Sequence, residues 1–193
     1  MSQKPLAVTL LLITPFCGVN AQTRTVETVI TDGSSLEIQG SSNVNNFECD
    51  YKEPLVTDTL RHQIEIEESE VKVQGDNIKM FVESFDCGKK GINRDFRKTL
   101  KSDVYPTIDV SLERLIYNEN TPVIAEVLIS LAGISRIYQL DFTNLDQEEG
   151  TNRIHGSQAI KMSDFNLELP KALFGLVKVD DEMTINFTLN VRQ

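Results

Sequence analysis

The sequence predicts an all-β fold, an antiparallel sandwich or barrel, on three observations. Apolar and polar residues alternate with period two over most of the chain, so neighbouring side chains face opposite ways and one face stays dry. The alternating runs recur at short spacing and are separated by turns carrying Gly, Asn and Asp. There is no strand–helix–strand rhythm of the kind a parallel sheet needs, and no internal repeat, low-complexity tract or linker that would divide the chain.

Residues 22–31, with Val26, Val29 and Ile30, read as a first edge strand, ended by the turn signal Asp32-Gly33. Leu36 and Ile38 alternate in the next strand. The chain loosens at Gly40, Ser41 and Ser42, resumes over 44–51 and loops at Glu53-Pro54. Ile64 and Ile66 face away from Glu65 and Glu67, and Val71 and Val73 continue the row to a turn at Gly75, Asp76 and Asn77. Ile78, Met80 and Val82 then take one face of a strand and Phe81 and Phe85 the other, which makes it apolar on both sides.

A short helix near 93–102 follows. Gly88 and Gly91 break the strand, and Asn93 is read as the cap accepting from the first free N–H groups. Asp95 suits the positive end, and Lys98 and Lys101 the negative end. Phe96 and Leu100, four apart, share an apolar face, and Pro106 stops the helix. Strands return with Ile108, Val110 and Leu112, then Val123, Ala125, Val127, Ile129 and Leu131. Gly133 turns the chain so that Tyr138, Leu140 and Phe142 oppose that row. Residues 146–152 read as a polar loop, 154–162 as a strand and 163–177 as irregular or partly helical. A last strand alternates from Met183 to Val191.

The chain has 193 residues, and residues 1–21 read as a secretory leader. Lys4 begins it, an apolar run follows over 6–16, and Val19-Asn20-Ala21 places small residues before a cut at Gln22. Cys17 raises a lipoprotein alternative, against which Phe16 stands where a small residue belongs. The expected organisation is a leader over 1–21 and one β-domain over 22–193, exported to the periplasm or outside the cell. Without the leader the balance is 18 basic to 29 acidic residues. Such a charge repels phosphate backbones, so neither nucleic acid nor charge-driven membrane docking is expected. Cys49 and Cys87 remain; in an oxidising compartment they pair, and the alternative is two buried free thiols.

Catalysis is not expected. His62 and His155 stand outside any recognisable motif, and there is no G-x-S-x-G or phosphate-cradling glycine loop. The carboxylate pairs at 67–68, 148–149 and 180–181 are adjacent, so on strands they face opposite ways. No Cys-x-x-Cys is present, and neither a metal nor a cofactor is expected. Arg94-Asp95 either holds a ligand head group or fixes a loop. The sequon at Asn186-Phe187-Thr188 falls within a strand and is discounted.

Binding is the remaining chemistry. A closed antiparallel barrel of about eight strands is just wide enough to be filled by side chains or to hold one small ligand. The inward rows are apolar, so any cavity favours a chain-like lipid. Candidate liners are Phe81, Phe85, Phe96, Leu100, Val127, Ile129, Tyr138, Leu140, Phe142 and Phe165. Periodicity leaves open whether they line a cavity or fill a core that serves structure or protein interaction, in a monomer or a dimer.

A family resemblance bears on that choice. The order Asp86, Cys87, Gly88, then Asn93-Arg94-Asp95, Leu100-Lys101-Ser102 and Tyr105-Pro106-Thr107-Ile108 resembles the YceI-like family. Leu131-Ala132-Gly133-Ile134-Ser135 resembles that family's L-x-G-v-[ST] hairpin, and Ser163-Asp164-Phe165 followed by the strand over 180–191 resembles its C-terminal end. The likeness runs from about residue 34 to the end; Phe96 stands where the family often has His, and the segment before Tyr105 is short. The resemblance implies a lipocalin-like barrel in an exported protein and an apolar partner of isoprenoid or quinone type held in a lumen.

Overall fold

The computed structural model describes residues 22–55, 59–119, 121–141, 144–148, 150–172 and 176–192. The expected leader and Phe142 lie outside the described residues. The strands in order are β1 (Gln22–Ile30), β2 (Ser35–Ser41), β3 (Asn46–Tyr51), β4 (Leu60–Ile66), β5 (Glu70–Gly75), β6 (Ile78–Phe81) and β7 (Phe85–Asp86). Helix α1 (Lys90–Thr99) follows, then β8 (Thr107–Asn118), β9 (Thr121–Leu131), β10 (Ile134–Asp141), β11 (Asn144–Glu148) and β12 (Thr151–Lys161). The chain ends with β13 (Lys171–Ala172), β14 (Val177–Lys178) and β15 (Glu182–Arg192). Short 3-10 turns occupy Val82–Ser84 and Met162–Phe165.

Thirteen strands form one continuous antiparallel sheet folded into two facing layers. The first layer runs β10-β9-β8-β5-β4-β1, with β6 beside β8 next to β5. The second runs β11-β12-β15-β2-β3-β7. β1 joins them: Gln22 to Thr28 pair with β4, while Val29 and Ile30 pair with Arg192 and Val191 of β15. The first strand is therefore a junction and not an edge. Among the described residues no ladder joins β10 to β11 or β12, so the sheet wraps without closing there.

The strand count exceeds the expected eight for physical reasons. The turn at Val82–Ser84 cuts one expected run into β6 and β7. The segment read as a polar loop over 146–152 is a hairpin, β11 against β12, turned at Gly150 (φ 81°).

Two cross-strand aromatic–glycine pairs shape the inner side of the second layer. Phe47 lies over Gly40 and Phe187 over Gly156, each directly opposite in register. A Cβ on Gly40 or Gly156 would stand 2.3 or 2.2 Å from the ring. The missing side chains let both rings lie flat across the neighbouring strand.

The helix differs from its expected form. It begins three residues before Asn93, with extended Lys89 at its N-cap and no side-chain cap bond. Asn93 sits inside it: its Oδ1 accepts from the Cys87 N–H at 2.6 Å, and its Nδ2 donates to Asp86 at 2.9 Å. It ties the helix to the preceding strand, and that link gives its side chain a use other than capping. Asp95 is accordingly in the middle turn. The helix ends before Pro106, at Lys101 (φ 55°): Lys101 N–H donates to Lys98 O at 3.1 Å and Ser102 N–H to Arg97 O at 3.0 Å, a Schellman closure.

Phe85 organises this corner. Its ring is 5.0 Å from Tyr51 and 5.3 Å from Phe96, which seats the helix. Cys49 on β3 and Cys87 after β7 are joined by a disulfide two register steps from the Tyr51–Phe85 pair, and both are buried.

Candidate functional site

Two apolar cavities lie between the layers. The larger, about 290 Å³, is walled by β1, β2, β4, β6, β7, β8, β9, β10, β12 and β15; Met80, Phe85, Ala125, Val127, Phe187 and Leu189 are among its lining. The smaller, about 160 Å³, lies under the helix, where Ile92, Phe96 and Leu100 face Phe47, Leu131 and Met183. Ile38, Ile108, Ile129 and Ile185 line both, one each from β2, β8, β9 and β15. These four isoleucines form a waist between two chambers stacked along the interior. Both volumes are far beyond the ~30 Å³ share of one water molecule.

Each chamber has a polar rim. Thr99, Asp95 and Asn45 border the smaller one, where the Arg94 guanidinium lies 3.3 Å from Asp95. His62, Asp76, Asp141, His155 and Gln158 border the larger. His62 Nε2 is 2.9 Å from the Asp76 carbonyl oxygen, and His155 Nδ1 is 3.0 Å from the Thr188 hydroxyl. Arg94-Asp95 therefore pairs at a chamber mouth.

The structure brings together most of the expected liners. Phe85, Val127 and Leu140 line the large chamber, Phe96 and Leu100 the small one, and Ile129 both. Phe81 does not join them: it is 55% exposed. Alternation carries parity only along an unbroken strand, and the 3-10 turn at Val82–Ser84 separates Phe81 from Phe85, so one ring turns out and the other in. Tyr138 and Phe165 line neither chamber. Their rings stack at 6.2 Å, and the Tyr138 hydroxyl donates to Asp164 at 3.0 Å, bracing the turn at Met162–Phe165 against β10. Burial first, and the Asp164 carboxylate second, push the Tyr138 phenol up to about 12.

Other liners were missed. Met183, Ile185, Phe187 and Leu189 form one face of β15, and the alternation that predicted the strand was the signal that could have found them. Outside the interior, Glu37, Glu48 and Asp50 gather on β2 and β3 with ligand-type oxygens within 4.8 Å. The Glu37 charge there holds the Glu48 carboxyl above its usual range.

The two motifs of the Tyr-Pro segment and the Gly-Ile-Ser hairpin meet in space. Ala132 (φ 50°) and Gly133 (φ 81°) make a two-residue turn between β9 and β10. A Cβ on Gly133 would stand 2.7 Å from the Tyr105 ring.

No protein-family model matches the sequence, and no curated protein matches it. Solved structures do. BcnA of Burkholderia cenocepacia superposes with a TM-score of 0.59 at 19% identity, over 83% of this chain and 96% of its own. A polyisoprenoid binding domain from Saccharophagus degradans superposes with a TM-score of 0.58 at 18% identity, over 88% and 99%. A YceI protein of Campylobacter jejuni aligns over 98% and 92% at 13% identity, but its TM-score of 0.44 is too low to bear on the fold. The chain thus has the fold of the first two proteins, a lipocalin-like all-β fold of the kind that the YceI-like resemblance implies.

Proposed function

We propose that the protein binds a chain-like apolar lipid of isoprenoid or quinone type inside the sheet, outside the cytoplasm, and performs no chemistry on it. The observation that carries this reading is the pair of apolar chambers meeting at the four-isoleucine waist. A flexible hydrocarbon chain fits such a lining, since burial of apolar surface stabilises it by about 25 cal/mol per Å². The polar rims leave room for a head group at either mouth. The polyisoprenoid binding domain of Saccharophagus degradans, with the same fold, supports the isoprenoid class. The buried Cys49–Cys87 disulfide supports an oxidising compartment. His62 Nε2 meets a backbone carbonyl and not a nucleophile, which supports a binding role.

Native mass spectrometry of the protein purified from its own host tests the proposal. The expected spectrum shows the polypeptide with an adduct that dissociates as an isoprenoid lipid or quinone. Spectra that repeatedly show only the bare polypeptide overturn it.

A further inference from the structure

The positive charge of this acidic chain is concentrated on the cover of the small chamber. Residues 89–101 hold Lys89, Lys90, Arg94, Arg97, Lys98 and Lys101 against Asp95 alone, whereas the whole chain has a formal net charge of −10. Asp86 and Asp103 flank the segment, and Arg97 reaches Glu83 at 2.9 Å. Arg94 is paired with Asp95. Lys89, Lys90, Lys98 and Lys101 are exposed and make no ion pair among the described residues.

The placement of these charges follows from the helix period. Ile92, Asp95, Phe96 and Thr99 turn one face of α1 into the chamber. Lys90, Arg94 and Lys98, spaced i, i+4, i+8, lie on the other side, away from the interior. The same mouth carries two exposed apolar side chains. Val44, next to the lining residue Asn45, is 62% exposed, and Leu176, whose carbonyl accepts from Asn43 Nδ2 at 2.9 Å, is 74% exposed. A cationic cover with apolar tips beside it complements one kind of surface, a bilayer with anionic lipid head groups. No helix among the described residues is long and apolar enough to cross a membrane, so attachment through this face would be peripheral.

We infer that the protein docks α1-first on anionic membranes, placing the mouth of the small chamber against the bilayer. Net charge does not oppose this, because charges more than about 8 Å apart are largely screened at physiological salt and the local field decides. The docking deepens the lipid-binding reading by giving the cargo a route of exchange, and it rests on that reading only for its purpose.

Co-sedimentation of the full protein with vesicles of phosphatidylcholine, with and without phosphatidylglycerol, is the test. Binding is expected only with phosphatidylglycerol and is lost at 1 M salt, where the screening length is about 3 Å. Each exposed lysine contributes roughly five-fold to the affinity, so Lys89→Gln/Lys90→Gln/Lys98→Gln weakens binding about a hundred-fold. The control Arg61→Gln/Lys79→Gln/Arg192→Gln, which removes the same charge elsewhere, retains binding. Equal binding to both vesicle types, or equal loss in the control, overturns the docking. Circular dichroism confirms that both variants fold. Vesicle binding and the lipid adduct are read separately: an adduct without vesicle binding removes the docking and leaves the cargo, and vesicle binding without an adduct does the reverse.

Discussion

Replacing Ala125 by Ile separates a hollow interior from a filled one by the sign of its effect. Ala125 is buried on β9, opposite Leu140 of β10 and Leu115 of β8, and it lines the large chamber. The substitution adds three carbons pointing into about 290 Å³ of apolar space. At about 0.8 kcal/mol per buried carbon the gain is roughly 2.4 kcal/mol, and fixing the side chain returns about 0.5–1 of it. Ile also suits a strand better than Ala. The net stabilisation of the ligand-free protein is about 1.5–2 kcal/mol, which at about 2–4 °C per kcal/mol raises Tm by roughly 3–8 °C. In a core already packed, the same three carbons would destabilise by about 1–3 kcal/mol. Differential scanning calorimetry of lipid-extracted protein, with circular dichroism to confirm the fold, reads the sign directly. A Tm that falls refutes the chamber. The variant should also bind an apolar fluorescent probe more weakly, because its lumen is smaller.

Cys49→Ser/Cys87→Ser opens a loop with a sequence separation of 38, and chain-entropy reasoning gives a loss of about 4 kcal/mol, visible as a lower urea midpoint; an unchanged midpoint would exclude the bond as a stabiliser. The Tyr138 phenol, at about 12 in the folded protein against 10.0 ordinarily, holds its proton longer folded than unfolded. Its stabilisation is therefore complete below pH ~10 and lost as pH rises toward ~12, so Tyr138→Phe should show a shallower fall of stability with pH across that window. A matching slope in the variant contradicts the assignment. Gly133→Ala strains a backbone at φ 81° and drives a Cβ into the Tyr105 ring, so it should destabilise by about 1–3 kcal/mol in urea titration. A neutral result would mean that Tyr105 does not seat the hairpin.

Much of the fold was legible because period two is a local signal. β15 alternates without interruption from Met183 to Val191, and its inner face is the one that alternation marks. Legibility failed where a short turn reset the parity, as at Val82–Ser84, which turned Phe81 out and left Phe85 in. It failed again at the β11–β12 hairpin, where residues 146–152 carry no alternating apolar signal. The waist was only partly readable: Ile129 could be named from its row, but its meeting with Ile38, Ile108 and Ile185 depends on how two layers face one another. A sum of charge over the chain does not display the basic stretch over residues 89–101, which the fold places on and beside α1.

An interior of this shape is costly to leave empty. Wall atoms facing the lumen lack the packing contacts that a filled core would give them. The disulfide contributes about 4 kcal/mol through the unfolded state. It does so beside Phe85, which lines the large chamber and seats the helix over the small one. Stabilisation of this kind tolerates a cavity without filling it, which suits a protein that must stay folded both before and after its occupant arrives. Under the lipid reading the occupant restores the lost contacts itself and raises stability with its concentration as RT ln(1 + [L]/Kd). The waist then sets its form. To fill both chambers a molecule must reach past Ile38, Ile108, Ile129 and Ile185, which an extended, flexible chain suits.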